Sequence, residues 1–435
     1  MRVAFHTLGC KLNYSETSTL ARKFLEAGYE RVDFNGEADV YVINTCSVTS
    51  KADRKSKEAI KKARNKNPEA TVVAVGCYAQ LQPDKIANIE GVDLILGSSE
   101  KFHIPEYLKH YRKREKPEVH TCTLNDSVEY EPAYSLGDRT RSFLKVQDGC
   151  DYVCSYCTVP LARGRSRNQT IRSIIEEARH LAWYGIKEVV LTGVNIGDFG
   201  KSTGESFYNL LGELEKVEGI DRIRISSIEP NLLHDEIILL VSQSTKFMPH
   251  FHIPLQSGCN EILGTMKRRY NRELFRERTE QIKKYIPDAF IGVDVIVGFP
   301  GEDRDKFKET FHFLEDLNAS YYHVFSYSQR PGTPAAKMKD QLPAGEIRER
   351  SRMIQQLADK KREQFYRQHL GKTKKVLFEK ETNRGRIYGF TENYINVETD
   401  SKQALQGKIS EVALKEINEQ GNVTGELISD SHYRI

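Results

Sequence analysis

Short apolar runs alternate with longer stretches of helical spacing over the first 125 residues. The runs are Val3-Ala4-Phe5, Val40-Tyr41-Val42-Ile43, Val72-Val73-Ala74-Val75 and Leu94-Ile95-Leu96; between them residues 13–27 and 48–65 carry apolar positions at helical intervals. Such alternation predicts an open parallel sheet covered by helices. From about 136 to 336 the pattern recurs six times, with strand-like runs at 143–147, 188–192, 222–227, 250–256, 290–297 and 321–327. Six strand-helix units of one hand predict an incomplete (β/α)6 barrel, whose active residues sit at the carboxyl ends of its strands. Next comes a basic stretch from Lys337 to Lys375, with Ile347, Ile354, Leu357 and Phe365 at helical spacing. Beyond Gly371 five short runs, 375–378, 385–390, 394–398, 407–412 and 424–428, predict a small antiparallel β-barrel. The expected organisation is three domains, 1–125, 136–366 and 367–435, an α/β chain overall, with the polar stretch from Lys109 to Asp138 as a linker.

Composition narrows the setting. The 435 residues hold 65 Lys plus Arg against 61 Asp plus Glu, a near balance that hides local crowding. Eight basic residues lie between Lys51 and Lys66 against only Asp53 and Glu58, and twelve between Lys337 and Lys375 against five acids. Basic patches of this density suit nucleic-acid phosphates as well as solvated helix faces. No run approaches the roughly 18 apolar residues that a membrane span needs, and the eight cysteines lack the spacing of a small secreted domain. A cytoplasmic protein with reduced thiols and no membrane partner is expected.

The cysteines carry the chemistry. Cys150, Cys154 and Cys157 stand in a C-x3-C-x2-C pattern directly after the first barrel run. A structural zinc takes four ligands, and no fourth Cys or well-spaced His lies nearby. Three thiolates fit a four-iron cluster better, with one iron left open to a ligand. Tyr156, just before the last cysteine, suits a flat ring beside an adenine. Cys10, Cys46 and Cys77 each follow a predicted strand of the first sheet, so all three fall on the edge where open parallel sheets bind ligands. Their shared placement suggests a second trio. Cys259 has no partner at metal spacing and reads as a packed thiol.

The pattern around Cys150 resembles radical S-adenosylmethionine (SAM) enzymes. Thr7-Leu8-Gly9-Cys10-Lys11-Leu12-Asn13, Asn44-Thr45-Cys46-Ser47-Val48-Thr49 and Val75-Gly76-Cys77-Tyr78-Ala79-Gln80 resemble the amino-terminal motifs of the methylthiotransferases within that superfamily. Ser326-Tyr327-Ser328-Gln329-Arg330-Pro331-Gly332-Thr333-Pro334 resembles the motif that ends their barrel, and the last 65 or so residues resemble the TRAM domain, an OB-like RNA-binding module. The resemblance implies two 4Fe-4S clusters, on Cys10, Cys46 and Cys77 and on Cys150, Cys154 and Cys157. It also implies one SAM as source of a 5'-deoxyadenosyl radical and another as methyl donor, together with an electron donor and a sulfur donor. Tyr156, Gly193, Ser227, Glu229, Gln256 and Gly298, in motifs at strand ends, would contact the cofactor.

Within the family the motifs around Cys10 and Cys46 look most like the branch acting on N6-threonylcarbamoyladenosine at position 37, beside the tRNA anticodon. Other branches act on isopentenyladenosine in tRNA or on an aspartate of a ribosomal protein, and a non-enzymatic RNA-binding metalloprotein is the alternative of another class. The expected partner is a tRNA anticodon stem-loop, whose unpaired base can leave its stack. Arg163, Arg165, Arg167 and Arg172 near the first barrel loop, and Arg384, Arg386, Tyr388 and Tyr394 in the last domain, are the expected RNA contacts.

Overall fold

In the computed structural model, which describes residues 1–122, 124, 129–137, 139–381, 385–400 and 405–428, each of the three patterned regions forms its own sheet system. The first holds strands β1 (Arg2–Thr7), β2 (Glu30–Val32), β3 (Val40–Thr45), β4 (Thr71–Gly76), β5 (Leu94–Leu96) and β6 (Glu118–His120), all parallel, in the order β2-β1-β3-β4-β5-β6. Alternate residues of one strand feed opposite faces. Val73 and Val75 pack with Leu20 and Phe24 of helix α1 (Lys11–Glu26), while Val72 and Ala74 pack with Ala59 and Ile60 of helix α2 (Ser50–Lys66). A sheet buried on both faces explains why its strands read as unbroken apolar runs. Thr49 caps α2, accepting from the Ala52 amide at 3.2 Å. Two strands escaped the pattern: β2 and β6 are three-residue edge-region strands of largely polar composition, and β6 lies inside the stretch expected to be linker.

The central region has six parallel strands, β7 (Arg141–Lys145), β8 (Glu188–Thr192), β9 (Arg222–Ile225), β10 (His250–Gln256), β11 (Phe290–Val297) and β12 (Tyr321–Ser326). They form two three-stranded sheets, joined through parallel bridges Ile223–Phe247 and Ser227–His252. The core runs from Leu144 and Val146 through Ile223 and Ile253 to Val295 and Tyr322, between the sheets and their outer helices. β7 and β12 are left unpaired with each other, and the amino-terminal domain bridges that gap. On one side α1 packs on β7, Tyr14 meeting the Phe143 ring edge-on at 5.7 Å. On the other, Arg330, from the loop after β12, binds Asp53 and the Ser47 hydroxyl, each at 2.7 Å. The carboxyl edge of the first sheet therefore faces the mouth of the open barrel.

The last region is a closed barrel, β13 (Thr373–Glu381), β14 (Arg386–Thr391), β15 (Asn396–Asp400), β16 (Ile409–Ile417) and β17 (Val423–Leu427). Four pairings are antiparallel, and a short parallel pairing of β15 with β17 closes the ring. It is docked under the amino ends of the central strands: Arg222 and Arg224 of β9 donate to the carbonyls of Lys375, Phe390, Thr391 and Glu392 at 2.8–3.1 Å. Among the described residues, no helix is long and apolar enough to cross a membrane.

Candidate active site

The cysteines of the central loop are held from below by Gln147. Its amide nitrogen donates to the Gly149 carbonyl at 2.7 Å, and its oxygen accepts from the amides of Val194 and Asn195 at 3.0 and 2.8 Å, tying the loop to the end of β8. Gly149 has φ +70°, and a Cβ there would run into the Arg165 carbonyl, so this turn needs glycine. Within the loop the Tyr152 amide points at the Cys150 sulfur and the Val159 amide at the Cys157 sulfur, both at 3.4 Å. Arg268, beyond the fourth strand, donates to the Cys154 sulfur at 3.1 Å and to the Tyr156 hydroxyl at 3.4 Å while pairing with Glu229. One guanidinium thus gathers Cys154, Tyr156 and Glu229. No sequence pattern marks Arg268, since its sulfur partner is 114 residues away.

Cys10, Cys46 and Cys77 do converge at the edge of the first sheet. Cys10 precedes α1, Cys46 follows β3, and Cys77 opens the short helix α3 (Cys77–Leu81). A Cβ on Gly9 would lie 2.8 Å from the Cys46 Cβ, so the first turn folds directly onto the second cysteine. Asn13 links the strand ends, donating to the carbonyls of Leu8 at 2.8 Å and Thr45 at 3.1 Å. Burial pushes the thiols of Cys46 and Cys150 up to about 12 and that of Cys157 to about 11, with neighbouring cysteines adding to each shift. Metal must displace these protons to bind. Among the described residues, neither trio has its three sulfurs mutually within 4.8 Å, whereas a single tetrahedral zinc would hold sulfurs about 3.8 Å apart. The three-thiol donor sets fit clusters, each with one iron left open.

The two trios are neighbours. The helix Val159–Arg163, which starts two residues after Cys157, packs against α3, which starts at Cys77. A cavity of about 250 Å³ is lined by Tyr156 and Cys157 on one side, by Val48 and Thr49 on the other, and by Gln256 and Asp294 from the barrel. Gln256 takes a left-handed φ of 70°, unusual for a residue with a side chain.

Several expected contacts stand elsewhere. Arg163 is 3% exposed and cannot meet an RNA phosphate. It is clamped by Glu16 at 2.9 Å, Asp148 at 3.0 Å and the Asn13 side chain at 2.6 Å. With Lys101 and Lys145, also on Glu16 at 2.7 and 3.6 Å, it forms a buried charge network joining the first two domains. Burial alone would raise the Glu16 carboxyl, but these three cations hold it down at about 2. Arg167 pairs with Asp148 at 3.1 Å and is mostly covered. Tyr394 is packed at the docking seam, 4.4 Å from the His250 ring and stacked on Phe390, so it is not an open stacking platform. Gly298 makes room for Ile347 of the long helix Ala344–Arg367, and Gly193 for Gln147; close packing accounts for both glycines without a cofactor. Ser227 forms the bridge to His252 between the two central sheets. Arg165, Arg172 and Arg386 are exposed, and Tyr388 is half-buried on β14; Arg384 lies outside the described residues. Cys259 is buried among Ile262, Met266 and Phe299, a packed thiol as expected.

Residues 144–314 match the sequence profile of the radical SAM superfamily, and residues 2–97 match that of an uncharacterized protein family, UPF0004. A protein of Bacillus subtilis, threonylcarbamoyladenosine tRNA methylthiotransferase MtaB, is 41% identical over 95% of this chain and 93% of its own length. The chain belongs to the radical SAM methylthiotransferases. The Aquifex aeolicus protein of the same name is also 41% identical, over 95% of this chain and all of its own. A tRNA-2-methylthio-N(6)-dimethylallyladenosine synthase of Acetivibrio thermocellus is 33% identical over 95% and 88%. Among solved structures, the radical SAM methyltransferase TsrM of Kitasatospora setae superposes with a TM-score of 0.57 over 77% of this chain and 74% of that one; at 15% identity this speaks for the fold alone. As a radical SAM methylthiotransferase the chain is an enzyme that uses SAM and a 4Fe-4S cluster.

Proposed function

We propose that this methylthiotransferase modifies C2 of the adenine in N6-threonylcarbamoyladenosine, at position 37 beside the anticodon of tRNA, and that Cys10, Cys46 and Cys77 hold a second 4Fe-4S cluster. The observation that carries the reading is the cavity walled by Tyr156 and Cys157 and by Val48 and Thr49, a space between Cys157 of the first trio and the segment that follows Cys46 of the second. Adenine C2 bears no acidic proton, so side-chain acid–base chemistry cannot open it; the bound clusters and SAM supply one-electron C–H cleavage and the sulfur and methyl of the new group.

The chain's own residues bind and orient. Arg268 fixes Cys154, Tyr156 and Glu229 in one arrangement, so the wall of the cavity and the ligand loop move together. Gln256 and Asp294 offer polar atoms to a base entering the cavity. The 41% relatives in two distant bacteria favour the threonylcarbamoyl substrate over the dimethylallyl one, whose synthases are 30–33% identical. Seven exposed lysines and arginines on α2, which begins beside Cys46, and exposed Arg165 next to the first trio provide cationic surface for the anticodon stem. The test is nucleoside mass analysis of anticodon stem-loop RNA incubated with anaerobically reconstituted, reduced enzyme and SAM. The 2-methylthio derivative of threonylcarbamoyladenosine is expected, and its absence beside efficient conversion of isopentenyladenosine overturns the substrate assignment.

A further inference from the structure

A second cavity, of about 230 Å³, opens between the Cys10 loop and the barrel interior, lined by Cys10, Lys11, Arg139, Arg141, Arg224 and His250 among others. Four of its lining residues are cations and none is a carboxylate. Two of the cations are already spoken for. Arg224 sits on buried Glu188 at 2.8 Å and Arg141 on Glu379 at 2.8 Å, so both belong to the docking seam. Arg139 lies over the Tyr14 ring, its guanidinium 4.6 Å from the centroid. Lys11 is different: it is half-buried, and its ammonium makes no hydrogen bond or ion pair with any described residue. Of the charged groups facing it, Arg141 and Arg224 repel it, and Asp294 is held by His252 at 2.6 Å. A desolvated ammonium without a partner is costly unless a ligand brings the missing anion.

We propose that Lys11 is a specificity-determining residue that binds the carboxylate of an anionic substituent on the substrate base. The inference rests on the reading that a modified adenosine of tRNA is the substrate, and it names the part of that nucleoside the site recognises. Lys11 adjoins Cys10, and its charged neighbour Asp294 also lines the cavity between Cys157 and Val48, so the cationic pocket adjoins the place assigned to the base. A threonylcarbamoyl group ends in a carboxylate and meets Lys11 and Arg139 with the missing charge. A dimethylallyl group is apolar and would leave the ammonium buried and unpaired, and a site built for a polar partner rejects the analogue that lacks it.

The test uses full-length reconstituted enzyme and two anticodon stem-loop RNAs, one with N6-threonylcarbamoyladenosine and one with its carboxyl capped as the primary amide. For the wild type the amide should raise KM at least about tenfold, the range expected when a charge-assisted hydrogen bond is lost. In Lys11→Met the two RNAs should become equivalent, and in Lys11→Arg the preference for the acid should return, with iron content equal to wild type in both. A wild type that handles acid and amide alike overturns the assignment without recourse to any variant, as does a Lys11→Met enzyme that keeps the wild-type ratio. A wild type that modifies neither RNA overturns instead the substrate reading on which the inference stands.

Discussion

The two cysteine trios are built in opposite ways. Cys150, Cys154 and Cys157 come from one loop of eight residues, shaped by Gly149 and by amides aimed at its own sulfurs. Cys10, Cys46 and Cys77 come from the ends of three strands, and their meeting depends on the register of β1, β3 and β4. The first trio carries its geometry locally. The second borrows it from a whole sheet, and that sheet in turn is fixed to the barrel by the buried network of Glu16, Arg163, Lys101, Lys145 and Asp148. A loop trio can survive loosening of its neighbour, whereas an assembled trio feels every change at the domain junction.

The largest effects expected separate the trios outright. Cys154→Ala should abolish SAM cleavage and thiolation together, and Cys77→Ala should keep SAM cleavage while abolishing thiolation. Each should lower the iron content from about eight to about four per chain. Anaerobic iron and sulfide analysis, with 5'-deoxyadenosine measured alongside, checks both. Loss of SAM cleavage in Cys77→Ala with the first cluster intact would break the proposed division of labour.

What could be read from sequence divides along the same line. The loop trio was legible from its spacing, and the sheet trio from the position of each cysteine after an apolar run, because a strand buried on both faces announces its own end. The partners of these sites were not legible. Arg163 stood in a run with Arg165 and Arg167 that looked uniformly basic, yet the helix Val159–Arg163 turns Arg163 inward onto Glu16, 147 residues away, and leaves Arg165 outside. Tyr394 looked like a stacking residue because nothing local records that β14 and its turn are pressed against β9 and His250. Alternation along a chain reports which face is buried, but not which domain buries it.

A smaller effect probes the junction itself. Glu16→Gln leaves Lys101, Lys145 and Arg163 buried around a neutral group, and breaking one partner of such a network is expected to destabilise the chain by about 3–5 kcal/mol. The second cluster should be lost before the first on mild urea treatment. Folding holds the Glu16 carboxyl at about 2 instead of its ordinary 4.5, so the unfolded chain binds more protons between those values. Its stabilising share, about 3 kcal/mol, is therefore complete above pH 4.5 and is lost as pH falls toward 2. Urea titrations of both proteins across that window should converge as pH falls; a constant difference would remove Glu16 from the account.

The smallest effect expected is on binding alone, and it sets two arginines of one run against each other. Arg165 has 69% of its side chain exposed and meets Asp151 at 3.5 Å, whereas Arg163 is buried in the junction. Arg165→Ala should weaken anticodon stem-loop binding by a few-fold, lower the slope of log affinity against log salt by about one, and leave stability and iron content unchanged. Arg163→Ala should do the reverse, costing stability and the second cluster while leaving the salt slope of the folded fraction as it was, because a side chain enclosed by Glu16, Asp148 and Asn13 never sees a phosphate. Titrations of labelled stem-loop at several salt concentrations read both variants. An unchanged slope in Arg165→Ala would move the RNA path away from the loop trio and toward the basic face of α2.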